Sequence, residues 1–589
     1  MRQEFRVIHV DVATGQAKIV TIDRRNEVAG GSGLAALLFA EYGQVDRPWD
    51  DPAQPLIFAI GPLTGYYPLM SKMVCAFRST YHGQYTESHA GGRAAFALRF
   101  ADFDALVITG RAAQLSCLLL GAHHVVVKEG EFLRGMDVES TGRLVRRIYK
   151  GGSGHRSIMR IGPAGENLSA MACINVDSYR HFGRLGGGAS MGAKNLKAII
   201  IQGDSHFAAP AGKSYAALCR DLYQQVTATE MMRKYYNLGT AANLASLNEL
   251  QALPWRNLQQ TRDETGIAGI TGTAFADTTL LRNGACSGCP VGCIHIGFIR
   301  DRIAADNRYH YHQVAYDYEP IFAAGTMLGV TSAFDVLRIL EVIERVGLDA
   351  MSAGVALAWA TEATARGLLS TAETVVPLAF GDVAAYQEAA RHLGQGSNGF
   401  YQLLGQGTLA AAGRYGGAEF ACVLGQEMAG YATGELFFAA QTLGFRHSHL
   451  DTGAYSYEQQ HPEKDVTGGV DFLIADEPGR VFLTSMVGCL FARSVYSRDR
   501  LAECLEALGF SGLAGDIDAT AEHIRRLRWR VRAGTGFDPA SLCIPKRFSQ
   551  ITTWKGPIDQ TYLDAVKSEY GRRIQALIAK ENDQPRKTG

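Results

Sequence analysis

The chain has 589 residues, 47% of them apolar and 20% charged, which predicts roughly three to four domains, each able to bury a core. Lys plus Arg and Asp plus Glu both total 58, so no net charge draws the protein to nucleic acid or to an anionic membrane. No window reaches the roughly 18 uninterrupted apolar residues of a membrane span.

The opening stretch "MRQEFRVIHVDVATGQ" has no signal-peptide core and alternates as a strand, with Phe5, Val7, His9 and Asp11 opposite Arg6, Ile8 and Val10. A cytoplasmic location is expected. There the eleven cysteines serve as thiols or metal ligands rather than disulfides. Eight of them (Cys75, Cys117, Cys173, Cys219, Cys422, Cys489, Cys504 and Cys543) are scattered, and each reads alone as a small buried hydrophobe.

Residues 1–207 read as β-rich. The apolar runs "PLIFAIGPLTG", "DALVITG", "LSCLLLGAHHVVV" and "LKAIIIQG" each end in turn signals. The segment "GRLGGGASMGAKNLKAIII" invites a dinucleotide reading, but Met191 stands where the third glycine should be, and the segment leads into a strand. What remains is a flexible loop of bare amides headed by Arg184. It suits a phosphate group, with a plain tight turn as the competing reading.

From about residue 210 the texture turns helical. "ACSGCPVGC" places Cys286, Cys289 and Cys293 in a C-x2-C-x3-C spacing, with Gly288 and Pro290 to curl the backbone. Spacing alone favours three ligands of an iron–sulfur cluster over zinc and leaves the fourth ligand open. In "YDYEPIF", Glu319 sits in apolar surroundings, where a raised pKa would suit a proton carrier; a surface glutamate is the blander reading. "FDVLRILEVIERVGLD" is an amphipathic helix stopped by Gly347, and "AGVALAWATEATARGLL" a more buried one. Further helices are expected near 213–234, 384–393, 497–508, 518–532 and 561–580. "GFRHSHLDTGAYSYEQQH" carries His447, His449 and His461, which read as metal or cleft residues or, more plainly, as solvated loop histidines.

Taken in order, these segments resemble the aldehyde:ferredoxin oxidoreductase family. The likeness runs through "VAGGSGLAALLF", "AIGPLTG", "HAGGRAAFALRFADFDALVITGRA", "RIGPAGENLSAMACIN", "GRLGGGASMGAKNLKAI", "CSGCPVGC", "ERVGLDAMSAG" and "TSMVGCLF". The resemblance implies an α+β fold: a β-rich bis-pterin-binding domain (1–207), a helical domain with three cluster cysteines (208–418) and a C-terminal helical domain (419–589). It implies a tungsten (or molybdenum) bis-molybdopterin, a [4Fe–4S] cluster and Mg2+ bridging the pterin phosphates. Cys489 is implied as the fourth cluster ligand.

Cofactor contacts are implied at Lys72, His89, Gly91, Gly92, Arg184, Leu185, Gly186, Glu344, Asp349 and Thr484. Glu319 and His449, with His447 as runner-up, are implied as the proton-handling residues. The implied reaction oxidises an aldehyde to a carboxylic acid, with electrons leaving to ferredoxin or an iron–sulfur partner subunit. Reduction of aromatic acyl-CoA thioesters by a family relative, and a non-catalytic iron–sulfur or zinc scaffold, are the alternatives.

The sequence departs from the family pattern at Lys72 (an arginine position), which loses the guanidinium fork, at Glu344 (aspartate), which is one methylene longer, and at Thr484 (an acid), which loses the charge. "RILEVIER" has no counterpart of the metal-bridging E-x-x-H, so a homodimer would not be held by that metal.

Overall fold

The computed structural model describes residues 2–150, 155–205, 210, 213–302 and 309–579. Two six-stranded sheets occupy the first third. In the first sheet, β1 (Phe5–Asp11), β2 (Gln16–Ile22), β3 (Leu56–Ala59), β4 (Met73–Arg78), β5 (Tyr85–Ala90) and β6 (Ala105–Thr109) run in the order β2-β1-β6-β3-β4-β5. In the second, β7 (Ser116–Gly121), β8 (Val125–Glu129), β9 (Arg156–Arg160), β10 (Ile174–Val176), β11 (Arg180–Phe182) and β12 (Leu196–Gln202) run β11-β10-β9-β12-β7-β8. A shared apolar core draws Ile8, Val10, Phe58 and Leu106 from one sheet and Met159, Ile174, Ile199 and Ile201 from the other. The central strands carry near-continuous apolar runs because both of their faces are covered.

The expected α+β architecture holds, and the later part is largely helical. The helix Ala333–Val346 is N-capped by Ser332 and stops at Gly347 in the left-handed region, φ 79°. The helices Lys213–Ala228, Val383–Gln395, Arg498–Ala507, Ile517–Gly534 and Gln560–Ala579 match the periodic segments. Two features differ from expectation. A three-stranded antiparallel sheet, β13 (Leu280–Gly284), β14 (Ile294–Arg302) and β15 (Tyr309–Tyr316), interrupts the helical region and flanks the cysteine segment.

The glycine segment after β11 is also no flexible loop. Gly187–Gly192 is a short helix, entered through Gly186 at φ 88°. Its glycines serve packing: a Cβ at Gly188 would lie 2.5 Å from the Cys173 carbonyl oxygen, and one at Gly192 2.0 Å from that of Gly165. Among the described residues no helix is long and apolar enough to cross a membrane.

Candidate functional site

A cavity of about 420 Å3 opens where the first sheet, the cysteine segment and the helical region meet. Lys72, His89, Arg184, Leu185, Cys286, Cys289, Cys293, Glu319, Glu344, Asp349, His449, Thr484 and Cys489 all line it. Gly91, Gly92, Gly186 and His447 do not.

The cysteine wall is assembled through one extended segment, Leu69–Lys72. The Leu69 amide donates to the Gly288 carbonyl (3.2 Å), and the Leu69 carbonyl accepts from the Cys489 amide (3.1 Å). The Lys72 amide donates to the Val487 carbonyl (3.0 Å). Two loops some two hundred residues apart are thereby fixed against a single backbone. The Ser287 amide donates to the Gly92 carbonyl (3.0 Å), and a Cβ at Gly91 would lie 2.5 Å from Cys286 Sγ. Gly91 thus makes room for a cysteine.

The thiols differ in electrostatics. Burial, reinforced by neighbouring thiols, pushes Cys289 up to about 12 and Cys293 up to about 11. Burial also acts on Cys286, but Arg180 and then Lys72 outweigh it and hold that thiol below its ordinary value. No three His, Cys, Asp or Glu side chains among the described residues gather around a single metal-ion position.

The opposite wall carries an acid and an imidazole. Glu319 lies in the first turn of the seven-residue helix Tyr318–Ala324. That helix is pinned by the Tyr318 amide donating to Thr240 Oγ1 (3.0 Å) and the Tyr318 hydroxyl donating to the Gly430 carbonyl. Glu319 Oε1 accepts from the Tyr431 hydroxyl at 2.9 Å and pairs with His449 Nε2 at 3.0 Å. Burial pushes the Glu319 carboxyl up, but His449 and Tyr431 together prevail and hold it low. The rise expected from the apolar sequence context is therefore reversed, because its partners arrive from distant segments.

Asp317 takes the rise instead, pushed to about 7 by burial and the neighbouring Glu319 charge. Although it stands at the N-cap position, its side chain caps nothing, and its Oδ1 has no partner. Asp317 and Arg180, whose buried Nε is also without a partner, were not singled out by any sequence motif.

His449 is delivered by a clamped loop. Asp451 accepts from the amides of Arg446 (2.7 Å) and Ser448 (3.1 Å), and Gln426 donates to the carbonyls of Arg446 (2.8 Å) and His447 (2.9 Å). His449 is 8% exposed and its Nδ1 is unpartnered, so it is no solvated loop histidine. His447 points into the interior. Its Nδ1 donates to the Thr442 carbonyl (2.7 Å), which leaves Nε2 to accept from Arg532 (2.6 Å). Burial, then Arg532, pushes its pKa down to about 3. His461 is exposed.

The remaining positions split between binding and support. Arg184 donates to Asp349 (3.2 Å), Ser352 (3.3 Å) and the Glu427 carbonyl (2.6 Å), while its buried Nη1 has no partner. Asp349 is occupied, since it caps the helix Ala350–Ala365 as well as pairing with Arg184. Glu344 accepts from Asn175 (3.0 Å) and pairs with His181 (2.7 Å). Thr484 accepts from Ser32 (3.1 Å). His89 lies between Glu87 (3.2 Å) and Arg446 (3.3 Å) and is pushed down to about 4 by burial, then Arg446. Leu185, at φ 72°, presents its carbonyl to the Ser79 hydroxyl (2.9 Å). Gly186 has no room for a side chain, because a Cβ would lie 1.7 Å from Thr80 Oγ1.

A mixed-sheet scaffold feeding thiols and an acid–imidazole pair into one cavity defines a cofactor-dependent redox enzyme. Models of the aldehyde ferredoxin oxidoreductase family match residues 7–203 (N-terminal domain) and 217–573 (domains 2 and 3). The chain belongs to that family and is an oxidoreductase. It is 28% identical over 580 residues to a tungsten-containing aldehyde ferredoxin oxidoreductase of Pyrococcus furiosus, covering 94% of this chain and 92% of the relative. Over 576 residues it is 27% identical to the protein of that name from Thermococcus kodakarensis, with the same coverages. An aliphatic sulfonate oxidoreductase, WOR-like subunit, of Pyrococcus furiosus is 26% identical over 425 residues, 69% of this chain and 66% of the relative. The fold also matches the active-site complex BamBC of benzoyl coenzyme A reductase, with a TM-score of 0.80 at 17% identity, covering 97% of this chain and 95% of that one.

Proposed function

We propose that the protein oxidises an aldehyde to the carboxylic acid in this cavity. It would do so with a bis-pterin tungsten (or molybdenum) group and a [4Fe–4S] cluster on Cys286, Cys289, Cys293 and Cys489. The observation that carries the reading is a single cavity lined by those four thiols and by the Glu319–His449 pair. Near-full-length likeness to tungsten-containing aldehyde ferredoxin oxidoreductases supports it over acyl-CoA reduction, for which the likeness is one of fold.

The residues present fit such groups. Buried Arg184 Nη1 and Arg180 Nε are donors without protein partners, as an anionic, oxygen-rich cofactor requires. Lys72 and Arg184 would hold its phosphates, and Glu344 would accept from its amino groups. Asp349 would act by fixing Arg184, and Thr484 by hydrogen bonding alone. Carbonyls at His89 and Leu185 would serve Mg2+, which prefers hard oxygens. Bound there, the tungsten–pterin group supplies a two-electron acceptor, and the cluster supplies a one-electron outlet.

The chain's own side chains manage protons. Conversion of an aldehyde and water to the acid releases two protons and two electrons. Glu319, held ionised, takes a proton as water adds to the carbonyl, and His449 relays it. Asp317, held near neutrality, can keep a proton on an oxygen facing the same space. Electrons leave to a ferredoxin or an iron–sulfur partner.

Anaerobically purified protein is expected to contain tungsten or molybdenum and about four irons per chain. It is expected to reduce a viologen dye with aliphatic or aromatic aldehydes. Zinc alone, or dye-linked activity only with an aromatic acyl-CoA, would overturn the reading.

A further inference from the structure

The cysteine segment comes closest to solvent at a rim of distinct character. Ala285–Cys293 carries no charged side chain and exposes Ala285 and Gly288. Three segments next to the cysteine loops each carry an exposed arginine. Arg93 follows Gly92, whose carbonyl binds the Ser287 amide. Arg233 lies on the helix Glu230–Asn237, whose Tyr236 ring stands 3.3 Å from where a Cβ at Gly292 would be. Tyr236 is 56% exposed, and its carbonyl accepts from Asn283 (2.7 Å). Arg493, just past Cys489, donates to the Leu490 carbonyl (2.9 Å) and sits beside Tyr235, which stacks on Phe491 at 4.0 Å.

Arg93, Arg233 and Arg493 are exposed, and none forms an ion pair among the described residues. Asp221 is paired with Arg500 (2.8 Å), and the exposed Glu230 shares the Arg233 helix. The chain as a whole has zero formal charge, so the basic rim is a local concentration.

We propose that this rim is the docking surface for the electron carrier, and that the carrier is a small acidic iron–sulfur protein. The inference rests on the reading that the four cysteines hold the electron outlet. Unpaired arginines around an uncharged centre attract an acidic partner over long range and fix its orientation. Tyr236 and the small-residue loop supply the apolar middle of such a contact, where water is excluded. The carrier then covers the side of the site where the thiols lie nearest to solvent.

The test is a triple charge reversal, Arg93→Glu/Arg233→Glu/Arg493→Glu, in the holoenzyme. Oxidation of aldehyde is coupled either to an acidic ferredoxin or to a small neutral quinone dye. At low salt the second-order rate with ferredoxin should fall about 10–1,000-fold and lose its salt dependence. Dye-linked turnover and iron content should not change. An unchanged ferredoxin rate overturns the proposal, as does an equal loss with the dye. A wild-type dimer dissolved by the reversals also overturns it, since the rim would then be a self-interface. If the wild type turns over no aldehyde even with the dye, the functional reading fails. Docking is then judged by direct titration of ferredoxin onto wild type and variant, where the reversals should abolish salt-sensitive binding.

Discussion

His447 and His449 stand two residues apart on one loop, yet they face two buried polar regions of opposite character. Around His447 the ring and the charges are paired, Nδ1 with the Thr442 carbonyl, Nε2 with Arg532, and Glu87 with Arg528 at 2.8 and 3.2 Å, and only the neighbouring His82 leaves a buried ring nitrogen, Nε2, without a partner. Around His449 the network is left open, with His449 Nδ1, Asp317 Oδ1 and Arg180 Nε buried and unpartnered. Paired buried charges mark a region that holds the molecule together. Incompleteness at a cavity wall marks one that waits for a ligand. The contrast predicts that substitutions on the two sides will separate into changes of rate and changes of stability.

The largest effect is expected on the open side. His449→Asn should lower kcat by about 10²–10⁴-fold. The melting temperature should stay near that of the wild type, as checked by dye-linked kinetics beside a thermal melt. On the paired side, Arg528→Met takes the guanidinium from the buried Glu87 carboxylate, leaving it only Tyr85 and His89, and should cost about 3–5 kcal/mol of stability. Denaturant titration measures this directly. His447→Phe leaves Arg532 and the Thr442 carbonyl short of a partner. It should cost about 1–3 kcal/mol, with a far smaller loss of kcat than His449→Asn. Equal kinetic losses at the two histidines would erase the distinction.

The smallest effect is in pH dependence, where Asp317 and the buried histidines have opposite signs. The folded-state value of Asp317, about 7, lies above its ordinary 3.8. The folded state therefore binds the extra proton between those values, and this term lowers stability as pH rises through the window. Asp317→Asn should flatten that part of the profile. His447 and His89, at about 3 and about 4 against an ordinary 6.5, resist protonation when folded. Their term lowers stability as pH falls below 6.5. Melting temperature against pH for Asp317→Asn and His447→Phe checks both signs.

Local rules made much of the fold readable. The helix Ala333–Val346 follows from its apolar spacing and Gly347, and β1 from its alternation. The strand β15 was not readable, because "YHYHQVAY" sets tyrosine against histidine and shows no clear core face. The helix Gly187–Gly192 was hidden because its glycines answer to neighbouring backbone rather than to local propensity.

At the site, Cys286, Cys289 and Cys293 announce themselves by spacing. The position of Cys489 depends on the Leu69–Lys72 segment, which no local pattern reveals. Glu319 was findable as an acid in apolar sequence, but the direction of its pKa was not, because His449 and Tyr431 lie more than a hundred residues away.

The most direct single measurement is the aldehyde-oxidation kcat of Glu319→Gln at matched tungsten and iron content. With Glu319 as the proton acceptor, kcat should fall about 10²–10⁴-fold while both metals remain bound and the melting temperature holds. Wild-type kcat in the fully metal-loaded variant would contradict the central role of the Glu319–His449 pair.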